Sequence, residues 1–268
     1  MPEPHTDVTT PSQRVEQRRA EIVQLLEETG IVGVTQLAER YGISQVTVRG
    51  DLDALESRGK LRRVHGGAMP LDRMMVAEGI ETRMATNPVA KRQIARAAAR
   101  MVNEGDTLFV DTGTTNLELM RALVSTPGIT VITHDSVIGR FVMERMPLAE
   151  LVIVGGRFRK GHGYCTGSTT MQTISKIYAD KSFVATDSFS QDQGFMCSFP
   201  AAGDVKAGML AHAERSFILM DSSKFGRHNY LSFATLADVD CVITEADPND
   251  QLARLIHAEE NPPELIIA

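Results

Sequence analysis

The stretch Val34–Ala68, VTQLAERYGISQVTVRGDLDALESRGKLRRVHGGA, constrains this chain more than any other. It parses into two short helices, a tight turn and a basic hairpin. Thr35 is the expected N-cap of the first helix, which carries Leu37 and Ala38 on one face. Tyr41-Gly42-Ile43 ends that helix, because Gly42 can enter the left-handed conformation that a sharp helix–helix turn needs. Ser44 then caps a second helix in which Val48, Leu52 and Leu55 recur at i, i+4 and i+7 as a single apolar stripe. Its outward face begins with Gln45, Thr47 and Arg49, side chains able to bond base edges or phosphates. Helix-turn-helix proteins push such first turns into the major groove.

Behind this helix, Gly59 to Gly67 alternates basic and apolar residues and closes on a glycine pair. That suits a small β-wing along a DNA backbone, with Lys60, Arg62 and Arg63 near phosphates and His65 in the same hairpin. The bland alternative is a three-helix packing module whose charges are merely solvated; the basic wing favours DNA. A preceding helix is predicted over Gln13–Thr29, with Val15, Ile22 and Leu26 on its buried stripe and Gly30 ending it. Arg14, Arg18 and Arg19 at its start are candidates either for phosphate contact or for an exposed helix end. Residues 1–12, rich in Pro, Thr and acidic residues, read as a disordered tail. Residues 13–70 then form a winged helix-turn-helix domain.

Charge and cysteine usage narrow the class further. The net charge of −6 is not that of a generally basic nucleic-acid binder, yet Gln13–Met69 holds nine Lys/Arg against eight Asp/Glu. Attraction to DNA must come from local placement of charge, not from an overall field. Cys165, Cys197 and Cys241 are far apart and odd in number, with no metal-ligand spacing. They are expected to be buried, reduced thiols of a cytoplasmic protein that needs no metal or cofactor. No run of about 18 apolar residues suggests a membrane span, and the polar start with Pro2 and Pro11 does not read as a secretory signal.

Residues 71–88 read as an interdomain linker, with Asn87-Pro88 as a turn or helix-start signal. Residues 89–268 form a second domain in which helical and strand patterns alternate. Strands are predicted at Thr107–Val110, Thr130–Thr133, Leu151–Val154, Ser182–Ala185, Phe217–Met220, Val242–Thr244 and Leu265–Ile267. Helices fall near Val89–Val102, Asn116–Val124, Val137–Arg145, Thr169–Ile177, Gly203–Ala213 and Asp250–Glu259. This alternation is the pattern of an α/β domain with a largely parallel sheet and helices on both faces.

Ligands of open α/β sheets bind at the carboxyl ends of the strands. Here Asp111-Thr112-Gly113-Thr114-Thr115 follows the first strand and opens a helix, offering N–H groups, hydroxyls and a positive dipole to an anion. It is not a Walker loop, since no Gly-Lys-Ser/Thr follows. The other strand ends carry Thr133 and His134, then Gly155-Gly156-Arg157, then Asp187, then Asp221 with Lys224; Lys206 lies near a helix start. Jointly they would line a pocket with hydroxyls, aspartates for sugar hydroxyls and cations for a phosphate.

Both halves also resemble the DeoR family of bacterial transcriptional regulators. Val34–Glu39, Ser44–Leu52 and Arg63–Ala68 carry the likeness in the first domain. Lys91, Ile94-Ala95, Asp111–Thr115, Thr133, Gly155–Arg157, Asp187, Val205-Lys206 and Asp221–Gly226 carry it in the second. The resemblance implies an effector domain with a fold similar to ribose-5-phosphate isomerase, sensing a phosphorylated sugar or polyol. It further implies a repressor of a carbohydrate or polyol operon that binds double-stranded operator DNA as a homo-oligomer, dimer or tetramer. Several positions depart from the family pattern: Gly50 stands where a second arginine is usual, His134 for Asn, Ser188 for Gly and Ala207 for a long residue. The rival reading, an isomerase-like enzyme with an appended DNA-binding domain, needs a base beside the substrate carbon. After Asp187, however, no carboxylate occurs until Asp192, which favours a sensor without catalytic residues.

Overall fold

A computed structural model describes residues 11–29, 32–64, 66–70 and 80–268. The chain divides into two compact units, Met1–Ala77 and Glu78–Ala268. The first contains α1 (Pro11–Thr29), β1 (Val32–Gly33), α2 (Val34–Tyr41), α3 (Gln45–Ser57) and the hairpin β2 (Leu61–Val64) and β3 (Gly67–Pro70). Residues 1–10 of the expected tail lie outside the described residues, and Pro11 and Ser12 already belong to α1.

Two helix starts test the capping argument. Ser44 caps α3 as the sequence predicts, its Oγ accepting from the Thr47 N–H at 3.1 Å, and Gly42 takes the left-handed conformation (φ 62°) between the helices. Thr35 does not cap α2. That helix starts two residues earlier than a Thr35 cap would place it, after Gly33, whose N–H donates to Gln36 Oε1 at 3.3 Å. The reason is the unpredicted strand β1, which pairs with β3 and sends the chain into α2 with the Val34 N–H bonded to the Gly66 carbonyl at 2.8 Å. A Cβ on Gly67 would stand 2.1 Å from the Val32 carbonyl oxygen, so this pairing requires glycine there.

Ile22, Leu26, Val32, Leu37, Val48, Leu52, Leu55 and Leu61 form one core beneath the three helices and the hairpin. A buried carboxylate braces it. Asp51 on α3 accepts from Arg18 Nε at 2.8 Å through one oxygen and from Arg19 Nε at 2.9 Å through the other. Arg18 and Arg19 are therefore internal ties between α1 and α3, which corrects both alternatives offered for them.

The second unit follows as α4 (Ile80–Ala85), α5 (Pro88–Ala99), β4 (Thr107–Val110), α6 (Thr114–Ala122), β5 (Thr130–Thr133), α7 (Ser136–Arg145) and β6 (Glu150–Ile153). Next come β7 (Arg157–Arg159), β8 (Tyr164–Thr166), α8 (Ser168–Ile174), β9 (Ala179–Ala185), β10 (Ser188–Ser190) and β11 (Gly194–Cys197). It closes with α9 (Pro200–Ala211), β12 (Ala213–Leu219), β13 (Leu231–Ala234), β14 (Cys241–Thr244), α10 (Gln251–His257) and β15 (Glu264–Ile267). The span read as linker thus holds a helix, α4, and Asn87 serves as the N-cap position of α5.

Seven strands form one sheet in the order β15-β14-β12-β9-β4-β5-β6, every pair parallel. Alternate side chains serve the two faces. Leu108 and Val110 join Ile94, Leu117 and Val142 on one side, whereas Phe109 joins Ile174, Val205 and Met209 on the other. Burial on both faces explains why inner strands such as β4, β9 and β14 read as near-continuous apolar runs, whereas the edge strands β6 and β15 are largely exposed. The chain passes outward from β4 through β5 and β6, then returns to β9 on β4's other side. That reversal makes the carboxyl ends of β4 and β9 the topological switch point. Two small antiparallel sheets, β10-β11-β13 and β7-β8, were not predicted; their strands are three or four residues long and leave too little period to read. Of the cysteines, Cys197 and Cys241 are buried but Cys165 is only half-buried, and all three are free thiols.

Two stability changes are expected in the first unit. Asp51→Ala strands two arginines and should destabilise this unit by about 2 kcal/mol, the scale of hydrogen bonds to charged groups, read in urea denaturation followed by a probe on α3. Gly50→Ala should instead raise stability by up to about 1 kcal/mol, since a Cβ there meets open space.

Candidate functional site

The N-terminal turns of α3 present Gln45, Thr47 and Arg49 to solvent, as the spacing predicts. Thr47 Oγ1 also lies 2.9 Å from Ser44 Oγ, and Gln45 Nε2 donates to Thr35 Oγ1 at 3.4 Å. Val46 is 74 % exposed between them. It is a position that polar patterning overlooks, and its methyls suit contact with a thymine methyl group. Its signal was legible only as a valine off the Val48/Leu52/Leu55 stripe.

The wing differs from the expectation at Arg63. Its Nη1 donates to the Asp53 carboxylate and to the Arg49 carbonyl at 3.1 Å, and its own N–H donates to Glu56 Oε1 at 2.8 Å. Arg63 pins the hairpin to the recognition helix and is not extended towards a phosphate. Lys60 is exposed. Arg62 lies in β2 opposite Met69, with its side chain outside the described atoms, and His65 lies outside the described residues altogether.

In the second unit the switch point is occupied by a buried ion pair. Asp111 follows β4 and is fully buried; its Oδ2 accepts from Lys206 Nζ at 2.5 Å and from the Ala185 N–H at 3.2 Å. Lys206 also donates to the Ala185 carbonyl at 2.8 Å, so one ammonium joins α9 to the ends of both β4 and β9. The other oxygen, Asp111 Oδ1, is 3.2 Å from His134 Nε2. His134 Nδ1 lies 2.6 Å from the Cys165 carbonyl oxygen and therefore carries a proton. With that proton alone, Nε2 accepts from the Thr112 N–H at 3.4 Å; with a second, it donates to Asp111. Burial opposes ionisation of Asp111, but the Lys206 charge and the His134 contact outweigh it and hold the carboxyl below its ordinary range. Burial likewise opposes the Lys206 charge, and the Asp111 carboxylate overcomes it and raises the ammonium.

Above this pair lies a small open cavity lined by Arg83, Thr112, Gly113, Thr114, Leu117, Asp135, Val137, Ile138, Gly161 and His162. Helix α6 begins in its wall, where Gly113 supplies no side-chain cap, and the first-turn N–H groups of a helix have no partner within the helix. Asp135 is fully engaged: Oδ1 accepts from the Val137 and Ile138 N–H groups at 2.7 and 3.0 Å, and Oδ2 accepts from Thr112 Oγ1 at 2.5 Å. The cavity is thus a polar recess with free donors, an arginine, and a carboxylate whose charge already serves as the cap of α7.

Of the residues expected there, the structure brings Thr112, Gly113 and Thr114 to the cavity wall, with Thr115 buried just behind and Asp111 and His134 beneath. Thr133 is buried and its hydroxyl accepts from the Asp135 N–H at 3.1 Å. The remaining expected positions do not line it. Gly156 is a packing glycine, because a Cβ would stand 2.0 Å from Thr170 Oγ1, and the Gly155 carbonyl accepts from that hydroxyl at 2.9 Å. Arg157 is exposed on β7. Asp187 accepts from the Ser198 N–H and hydroxyl, both at 3.0 Å, and Asp221 accepts from Asn87 Nδ2 at 2.9 Å beside the half-buried Lys224. Ser188 is buried in β10 with an unpaired hydroxyl, not in the cavity. Arg83 and His162, which do line it, sit in stretches with no apolar period, so no sequence pattern marked them.

Asp111→Asn would leave Lys206 as a buried charge without its partner. A loss of about 3 kcal/mol in the stability of this unit is expected at neutral pH. Because the Asp111 carboxyl is held low, its contribution is present above the ordinary carboxylate range and disappears as pH falls below it. The gap between wild type and Asp111→Asn in thermal unfolding should accordingly close in acid.

Comparison with known proteins adds the lineage of both units. Residues 18–73 match the family model of the DeoR-like helix-turn-helix domain, and residues 86–246 match that of the DeoR C terminal sensor domain. The lactose phosphotransferase system repressor of Streptococcus mutans is 31% identical over 244 residues, 90% of this chain and 96% of the repressor. The glycerol-3-phosphate regulon repressor of Escherichia coli is 28% identical, over 87% of this chain and 91% of that protein. Among solved structures, ribose 5-phosphate isomerase A from Methanocaldococcus jannaschii aligns with a TM-score of 0.38 and 17% identity, over 52% of this chain and 55% of the enzyme. With the helix-turn-helix match and the sensor-domain match together spanning most of its length, the chain belongs to the DeoR family of transcriptional regulators.

Proposed function

We propose that this regulator represses a carbohydrate or polyol operon in the cytoplasm and is controlled by a phosphorylated metabolite bound in the second unit. One observation carries the reading: a single chain holds an exposed recognition helix and, separately, a donor-rich cavity at an uncapped helix start beside the sheet's switch point. The two relatives described above are named for repression, one of a lactose phosphotransferase system and one of a glycerol-3-phosphate regulon. Uncapped N–H groups and the helix dipole suit a phosphate dianion better than a neutral sugar. Palindromic operators require paired reading heads, so a homo-oligomer, dimer or tetramer, follows from this reading.

The cavity supports binding over turnover. Its lining contains one carboxylate, Asp135, whose oxygens already accept three hydrogen bonds. A carboxylate base of the isomerase type must be free to take a proton from the substrate. Asp187 is likewise occupied by Ser198, and the β10 strand after it supplies no acid. A panel of phosphorylated sugars should therefore bind without being isomerised.

Operator binding tests the first half of the reading. Arg49→Ala should weaken it by roughly 1–3 kcal/mol and relax preference at one base pair, as expected of a bidentate base contact. Lys60→Ala should weaken all duplexes alike and reduce the slope of log K against log salt by about 0.9. Titrations at several salt concentrations separate these effects, and an unchanged affinity in Arg49→Ala would remove that side chain from the interface.

A further inference from the structure

Arg83 stands in the cavity wall as a cation with no acid partner among the described residues. Half-buried arginines elsewhere in the chain are engaged: Arg18 and Arg19 share Asp51, Arg63 pairs with Asp53, and Arg159 stacks over the Phe199 ring at 3.8 Å. Among the described residues no carboxylate forms an ion pair with Arg83. Its Nη2 lies 3.6 Å from the point where a Cβ on Gly113 would stand, beside the uncapped start of α6. A guanidinium fork and a set of helix-start N–H groups therefore meet across one recess, which is the donor arrangement a tetrahedral oxyanion takes.

The backbone that carries this side chain is itself fastened to the cavity. The Arg83 carbonyl accepts from the buried Lys91 Nζ and from Thr114 Oγ1 at 3.4 Å, and the same ammonium donates to the Thr86 carbonyl at 2.7 Å. Thr82, Met84 and Ala85 of α4 are exposed, and so is Thr86 beyond it. A six-residue helix has too few internal bonds to hold itself. It is also the first helix of the second unit, where the chain arrives from the DNA-binding hairpin.

We propose that Arg83 is the anchor of the effector's phosphomonoester, clamped between its guanidinium and the N–H groups of Gly113–Thr115, and that this contact fixes α4. The proposal rests on the sensor reading above and adds to it the residue that reads the anion and the element that reports it. Phosphate binding draws Arg83 onto the start of α6 and holds α4, which carries it, in one position. The point at which the chain leaves the second unit is then held in one position, a change with a direct covalent route to the DNA-binding unit.

The test uses full-length wild type, Arg83→Gln and Arg83→Lys. Inorganic phosphate, glycerol 3-phosphate and a hexose 6-phosphate serve as probes, each organic phosphate set against its unphosphorylated counterpart. Calorimetry should show the wild type preferring a phosphorylated probe, with affinity falling about 10- to 100-fold in Arg83→Gln and less in Arg83→Lys, which keeps charge but not the fork. Hydrogen exchange should slow over residues 80–85 when the probe binds wild type, and not in Arg83→Gln. Undiminished binding of the phosphorylated probe by Arg83→Gln, or exchange over 80–85 indifferent to it, overturns the anchor and leaves the sensor reading standing. A wild type that binds no phosphorylated probe better than its counterpart overturns both. If Arg83→Gln does not fold, the Arg83→Lys affinity decides alone: a drop supports the anchor and wild-type affinity rejects it.

Discussion

The second unit depends on a carboxylate placed where water cannot reach it. Burying an unpaired ion costs several kcal/mol, so Asp111 is tolerable only with Lys206 Nζ at 2.5 Å, the Ala185 N–H at 3.2 Å and His134 on its far oxygen. Those partners come from α9, from the end of β9 and from the end of β5. One residue therefore sets the mutual positions of the strands flanking the switch point, and the cavity above inherits its floor from that arrangement. Asn116 reinforces it by donating to the Asp111 and Phe183 carbonyls at 2.8 and 3.2 Å, which ties the first turn of α6 to the same strand ends.

A smaller version of the same device braces the DNA-binding unit. Asp51 is buried on α3 and receives two arginines from α1, so the recognition helix is oriented by a charge on its inner side. Arg63 performs a related task from the wing, through Asp53 and the Arg49 carbonyl. Arg18, Arg19 and Arg63 thus build this unit, whereas Arg49 is exposed on the outer face of α3, where the proposed reading has it contact DNA.

Cysteine chemistry plays no part in this arrangement. Burial pushes the Cys197 thiol up to about 11 and the Cys241 thiol up to about 12, so neither is a thiolate near neutrality. In the proposed reading, polar recognition falls instead to backbone N–H groups, threonines and a guanidinium, which bind oxyanions without changing their own protonation.

The sequence by itself determined the elements with long-lived periodicity and distinctive punctuation. Ser44 and Gly42 mark the helix-turn-helix because capping and left-handed backbone are local properties of single residues. The inner parallel strands were legible because burial on both faces leaves runs such as Phe183–Ala185 and Cys241–Ile243 uniformly apolar. The Asp111–Thr115 loop was legible for a similar reason, as a Gly/Thr turn between a strand and a helix. Tertiary structure decided the rest, because it depends on which distant segments meet. Thr35 lost its capping role to a two-residue strand that exists only by pairing with β3. Arg18, Arg19 and Arg63 turned inward because acids on another helix lay within reach, and no local pattern records that. Gly155-Gly156 proved to be a packing contact with Thr170, and Arg83 reached the cavity from a stretch that reads as linker. Periodicity reports which face of an element is apolar; which charge finds which partner across the fold is fixed only when the elements pack.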